Sequence, residues 1–145
     1  MTGPRELGSD FAACRFPGYR ALELPSHVLV VEDDLAIRRL VTTVLEREGY
    51  HVEAAADGVE AVLKLGINEF DVIILDLMMP NLDGFALIDT LAANDPHRLR
   101  RIIVTSAASP TIIRERLRGA PFAVMPKPFD LVDLRSCVES CLAGG

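Results

Sequence analysis

The sequence predicts an α/β fold: one five-stranded parallel sheet with helices on both faces. Three observations carry that prediction. Short aliphatic runs recur at residues 28–31, 72–75 and 102–104, and unbroken runs of this kind read as strands buried on both sides. Between and after them, apolar residues fall at helical spacing, so strand and helix alternate in the way a parallel sheet requires. Polar residues follow the strands abruptly, as at Asp76 after Val72-Ile73-Ile74-Leu75. That places chemistry at strand ends, where open α/β sheets bind ligands.

Residues 1–26 stand apart from the rest. Pro4, Pro17 and Pro25 are interleaved with Gly3, Gly8 and Gly18 and no period is sustained, so this stretch reads as an extension, flexible or loosely docked, ahead of a domain at 27–145. Phe11, Phe16 and Tyr19 give it the means to pack if a surface is offered. Residues 28–31 form the first strand. Ile37, Leu40, Val41, Val44 and Leu45 then recur at helical spacing, with Arg38, Arg39, Glu46 and Arg47 largely on the other face, and Gly49 ends that helix. Residues 51–55 form a second strand, nearer an edge because it carries polar side chains. Asp57 caps a helix running to about Gly66. The third strand ends at Leu75, and after a long loop residues 84–93 are helical. Residues 102–105 are the fourth strand. Ser109-Pro110 opens the next helix with a cap residue followed by proline at the first position. Residues 122–125 are the fifth strand and 130–142 the last helix. Right-handed crossovers leave few arrangements for five such pairs.

The chain has 145 residues, half of them hydrophobic, enough for one domain with a substantial core. Its net charge of −6 argues against nonspecific binding to nucleic acid or anionic membrane. The densest basic cluster, His97-Arg98-Leu99-Arg100-Arg101, reads as a solvated loop leading into a strand. No apolar run approaches the ~20 residues of a membrane span and no secretion signal is evident, so a cytoplasmic location is expected. The three cysteines are an odd number and do not suggest a disulfide framework. Cys137 and Cys141 read as small buried side chains on the last helix, and Cys14 as a free thiol in a loop. Only Ala143-Gly144-Gly145 follow the last helix, so no second domain is expected. No helix-turn-helix segment is present, so output is expected to run through protein contacts.

Parallel strands bring their carboxyl ends to one edge. The first strand ends in Glu32-Asp33-Asp34, the third in Asp76, the fourth in Thr105-Ser106, and the fifth runs into Pro126-Lys127-Pro128-Phe129. Clustered carboxylates repel: at ~4 Å and an effective dielectric of about 20, each pair costs on the order of 4 kcal/mol. Protonation of one of them, or a divalent cation, relieves this. Mg²⁺ favours such hard oxygen ligands and leaves positions for phosphate oxygens. Taken alone, the acidic triplet reads equally well as the start of a helix complementing its dipole. Lys127 has its backbone restricted by a proline on each side, which suggests an amine held in place. Ser106 offers a hydroxyl that can donate to a phosphoryl oxygen.

In this order and spacing, Val30-Val31-Glu32-Asp33-Asp34, Asp71 to Pro80 with Asp83-Gly84, Val104-Thr105-Ser106-Ala107 and Lys127-Pro128-Phe129 resemble the receiver domain of bacterial two-component response regulators. The resemblance covers roughly residues 27–142 and implies a flavodoxin-like sheet of strand order 2-1-3-4-5. It implies that Asp76 accepts a phosphoryl group from a sensor histidine kinase or histidine phosphotransfer protein. Glu32, Asp33 and Asp76, with the backbone carbonyl of Met78, would hold Mg²⁺. Ser106 and Lys127 would bind the phosphoryl group, and the Lys127-Pro128 bond would be cis. Transfer would be in line, biasing a two-state surface read by an output protein. On this reading the protein is a single-domain phosphoryl acceptor rather than an enzyme. The family usually has an aromatic three residues before the lysine, where this chain has Val124; Phe122 is the nearby aromatic. Met78 and Ala108, two residues past Asp76 and Ser106, cannot orient a hydrolytic water, which implies slow self-dephosphorylation. Two other readings share the sheet. A pseudo-receiver scaffold would keep the fold without phosphorylation, and a Mg²⁺-dependent phosphohydrolase would want a carboxylate where Met78 stands.

Overall fold

The structure is a computed structural model that describes residues 24–79, 82–117 and 121–144. The chain runs β1 (His27–Val31), α1 (Leu35–Arg47), β2 (His51–Ala55), α2 (Gly58–Ile67), β3 (Val72–Asp76), α3 (Gly84–Asn94), β4 (Ile102–Ser106), α4 (Pro110–Arg116), β5 (Ala123–Pro126) and α5 (Leu131–Gly144). All five strands are parallel and lie in the order β2-β1-β3-β4-β5. This is the sheet the alternation predicts, in the order the resemblance implies.

Side chains alternate across the strands, so each central strand feeds two cores. Val28, Val30, Val72 and Ile74 pack with Val41 and Leu45 of α1 and Leu134 and Val138 of α5. Leu29, Val31, Ile73 and Leu75 pack on the other face with Ala61 of α2, Leu87 and Ile88 of α3, and Ile113 of α4. Every residue of β3 and β4 is buried, which is why those strands read as continuous apolar runs. The edge strand β2 is half-exposed, as its polar residues predict. Cys137 is half-buried and Cys141 buried; burial raises both thiols, Cys141 to about 11. Cys14 and residues 1–23 lie outside the described residues.

Local chemistry sets the element ends. Asp34, Asp57, Asp83 and Ser109 each cap a helix by accepting from a backbone N–H two or three residues on, the arrangement that satisfies orphan donors of a first turn. Gly49 follows α1 at φ 93, a left-handed conformation that glycine adopts without strain. Two details differ from the sequence reading. Residues 96–101 are not a plain loop: Pro96–Arg101 forms a 3-10 helix, with the Asp95 carboxylate accepting from the His97 N–H. The loop after β3 contains a short antiparallel pairing of Met78–Met79 with Leu82–Asp83, too brief to leave a period in the sequence.

Candidate functional site

The carboxyl edge of the sheet collects the residues expected there. At the end of β1, the Glu32 N–H donates to the Ala55 carbonyl of β2 at 3.1 Å, and its side chain is buried. Asp33 beside it is exposed. The Arg38 guanidinium folds back from α1 onto the carbonyls of Glu32 and Asp33 at 2.9 and 3.3 Å, which pins this acidic turn. Asp76 closes β3, opposite Thr105, and is only 2% exposed. Its Oδ1 accepts the Met78 N–H at 3.0 Å. The following residue is tied across the sheet, the Leu77 N–H donating to the Thr105 carbonyl at 3.1 Å.

Lys127 joins these groups. Its backbone N–H donates to the Ser106 carbonyl at 2.7 Å, and its bond to Pro128 is cis. Thus fastened, its Nζ donates to Glu32 Oε1 at 2.6 Å and to Asp76 Oδ2 at 3.0 Å. The Ser106 side chain is fully buried, and its Oγ accepts the Ala108 N–H at 3.1 Å.

The electrostatics follow from three carboxylates facing one ammonium. Glu32, Asp33 and Asp76 each offer an oxygen, all within 4.8 Å of one another. Burial pushes the Glu32 carboxyl up to about 7; the Asp76 carboxylate adds to this, while Lys127 and the Asp34 N–H oppose it. Burial alone would lower Lys127, but its bonds to Glu32 and Asp76 outweigh it and hold the ammonium above its ordinary range. Even with Lys127 in place the cluster is short of positive charge. Closely spaced hard oxygen donors of this kind suit Mg²⁺.

The structure therefore brings Glu32, Asp33, Asp76 and Lys127 together, with Ser106 one strand away and bonded to Lys127 through the backbone. Met78 presents its N–H to Asp76 while its side chain is exposed. Phe122 is placed differently from the expectation that it could serve as a switch aromatic. Ser106 pairs with Pro126 and Ile103 with Ala123, so Phe122 precedes β5 at its amino end, with its N–H bonded to Leu99 and Ile102. Four residues of strand, about 13 Å at ~3.3 Å per residue, separate it from the level of Ser106. Val124, paired with Val104, packs against the core on the α3 and α4 side. Two contributors escaped the sequence reading. Arg38 was assigned to the outer face of α1; the signal for its role is its place in the first turn, within reach of the preceding carbonyls. Gly84 abuts Leu77, so a Cβ there would lie 2.9 Å from the Leu77 Cα.

Comparison with known proteins agrees with this geometry. The model of the response regulator receiver domain matches residues 28–139. The chain is 35% identical to the response regulator MprA of Mycobacterium sp. (strain KMS) over 122 residues, which are 82% of this chain and 51% of MprA. It is 30% identical to sporulation initiation phosphotransferase F of Bacillus subtilis, covering 79% of this chain and 92% of that protein. Among solved structures, the chemotaxis protein CheY4 of Vibrio cholerae superposes with a TM-score of 0.74 at 30% identity, covering 82% of this chain and all of CheY4. The chain thus spans about half the length of the MprA relatives it matches.

Proposed function

The chain belongs to the response regulator receiver domain family, and on that premise we propose that it is a single-domain phosphorylation switch or relay intermediate whose acceptor is Asp76. The observation that carries the reading is the Lys127 ammonium seated between two buried carboxylates, Glu32 and Asp76, at the edge where open α/β sheets do chemistry. An Asp76 oxygen attacks the phosphorus of a phosphohistidine on a sensor kinase or phosphotransfer protein; the P–O bond forms as the P–N bond breaks, and the imidazole leaves. Lys127 is placed to move from the carboxylate toward the incoming phosphoryl oxygens, and the Ser106 hydroxyl to donate to them. Glu32, Asp33 and Asp76, with the Met78 carbonyl, would hold Mg²⁺, which when bound supplies charge neutralisation for a reaction that runs on positioning and electrostatics. The protein is in this view a substrate of its partner, with slow self-dephosphorylation at most. It signals through protein contacts, and a cytoplasmic location is part of this proposal.

The test is incubation with Mg²⁺ and acetyl phosphate, followed by intact mass. One added phosphoryl group that is absent from Asp76→Asn supports the proposal. No adduct from acetyl phosphate or from a phosphorylated histidine donor would instead mark the protein as a scaffold that keeps the fold without the chemistry.

A further inference from the structure

Helix α2 is built the wrong way round for a surface helix. Its inner side is small: Gly58 and Ala61 are buried and Leu65 is partly so. Its outer side carries Val59, Val62, Leu63 and Ile67, which are 67%, 53%, 61% and 78% exposed. Those positions, with Gly66, follow the i, i+3, i+4, i+7, i+8 spacing of a continuous apolar stripe. Scattered exposed apolar residues are ordinary, but a contiguous stripe marks a contact surface. Among the described residues nothing covers it.

We propose that this stripe is the docking site of the chain's own residues 1–23, packed through Phe11, Phe16 and Tyr19. The first argument is position. The described chain enters at Leu24, 82% exposed, three residues before His27, which shares Glu53 with the end of α2. His27 Nε2 lies 2.6 Å from Glu53 Oε2, and the same carboxylate accepts from Lys64 and Asn68 at the end of α2. The His27 ring also lies against Phe70, with centroids 4.4 Å apart, on the face of the sheet that α2 covers. The second argument is reach. A ten-residue helix is about 15 Å long at 1.5 Å per residue, and 23 residues can extend about 75 Å. The third is charge. Residues 1–23 hold Arg5, Arg15 and Arg20 against Glu6, Asp10 and Glu23, so the segment is neutral. Two whole chains of net charge −6 repel on approach. Glu60 follows Val59 on the helix that carries the stripe, while Lys64 is occupied by Glu53, so an arginine of the segment has an acid to meet there. Tethering adds an effective concentration in the mM range for short linkers, which no free partner matches.

The experiment places a nitroxide on Cys14 of the full chain carrying Cys137→Ser and Cys141→Ala, and reads methyl line broadening. The Val59, Val62, Leu63 and Ile67 methyls are expected to broaden, while those of Val132 on α5, which packs on the opposite face, do not. Adding Phe11→Ser and Phe16→Ser should reduce the broadening at α2 several-fold. A sample mixing spin-labelled, unenriched chains with isotope-enriched, unlabelled chains should show none. If the cysteine replacements unfold the protein, Cys14 of the natural chain is labelled with limiting reagent, since burial raises both other thiols. Broadening that misses α2 or spreads evenly overturns the proposal. Broadening at α2 that persists in the mixed sample overturns it in favour of a second copy.

Discussion

Replacing Gly84 by alanine pits two effects of opposite sign against each other. Gly84 opens α3, and helix propensity alone favours alanine over glycine by about 1 kcal/mol. An ideal Cβ there would sit 2.7 Å from Leu77 Cδ2, 2.9 Å from Leu77 Cα and 3.3 Å from the Leu77 carbonyl oxygen. The Leu77 side chain can turn aside; its Cα cannot, because the residue is buried and its N–H is tied to the Thr105 carbonyl. Carbon atoms in contact prefer ~3.5–4.0 Å, so the backbone must retreat by roughly 0.6 Å or more. Overpacking of this kind costs about 1–3 kcal/mol, leaving a net loss of up to about 2 kcal/mol once the propensity gain is subtracted. The displacement falls on Asp76 and Met78, which flank Leu77, so phosphoryl incorporation from acetyl phosphate should fall as well. Urea unfolding checks the first part: the midpoint should drop at an unchanged slope. Gly66→Ala is the internal control. Nothing lies within 4 Å of its Cβ position, so that variant should gain about 0.5–1 kcal/mol. A Gly84→Ala protein more stable than the parent would refute the steric argument, as would two variants that shift the midpoint in the same direction.

Three further outcomes are expected. Lys127→Ala should abolish labelling by acetyl phosphate and cost about 2–3 kcal/mol in urea unfolding, since it removes the donor of two charge-assisted bonds to buried carboxylates; labelling at the parental rate would show the amine is not needed. Burial would raise the Glu53 carboxyl, but Lys64 and His27 outweigh it and hold it below its ordinary value. A depressed carboxyl stabilises the fold above its unfolded pKa and loses that contribution as pH falls through its folded pKa, so the stability gap between the parent and Glu53→Gln should shrink from pH 7 toward pH 3.5 in unfolding series. The phosphorylated protein should decay over minutes or longer when followed by intact mass, and Met78→Asn, which supplies an exposed amide able to orient water, should decay faster; a parental half-life of seconds would contradict this.

The fold was legible because its strands are extreme. β3 and β4 are buried along their whole length, so no period other than an apolar run was available to them, and the capping residues then marked where helices begin. The site was legible for a related reason: a parallel sheet sends every strand's carboxyl end to one edge, so Glu32, Asp76, Ser106 and Lys127 could be placed together without knowing a side-chain angle. What stayed hidden depends on such angles or on single contacts. Arg38 sits at a helix position that helical periodicity assigns to solvent, yet its long stem returns the guanidinium to the carbonyls of Glu32 and Asp33. Gly84 looks like ordinary helix punctuation until the Leu77 backbone is seen against it. Phe122 lay close enough to Lys127 in sequence to suggest a role beside Ser106, but strand register, which no local pattern encodes, put it at the far end of β5.

That register bears on how a phosphoryl group would be felt elsewhere if Asp76 accepts one as proposed. With Val124 on the core face and Phe122 at the wrong end of the strand, no aromatic side chain of β5 is available to follow Ser106. The hydroxyl is instead coupled to the backbone: Ser106 Oγ accepts the Ala108 N–H, and the next residue, Ser109, caps α4 through the Ile112 N–H. If Ser106 turns to donate to a phosphoryl oxygen, its bond to Ala108 is the first to be strained, and the strain enters a three-residue turn that ends in a helix cap. Helix α4 has seven residues, is held to the core by Ile113, and is braced from outside by Arg116, whose guanidinium lies 4.1 Å over the Phe85 ring of α3. A helix this short has little intrinsic stability, so its position rests on those few contacts. On the proposed function, the route from Asp76 to the surface that these bonds favour runs along the main chain from Ser106 into α4.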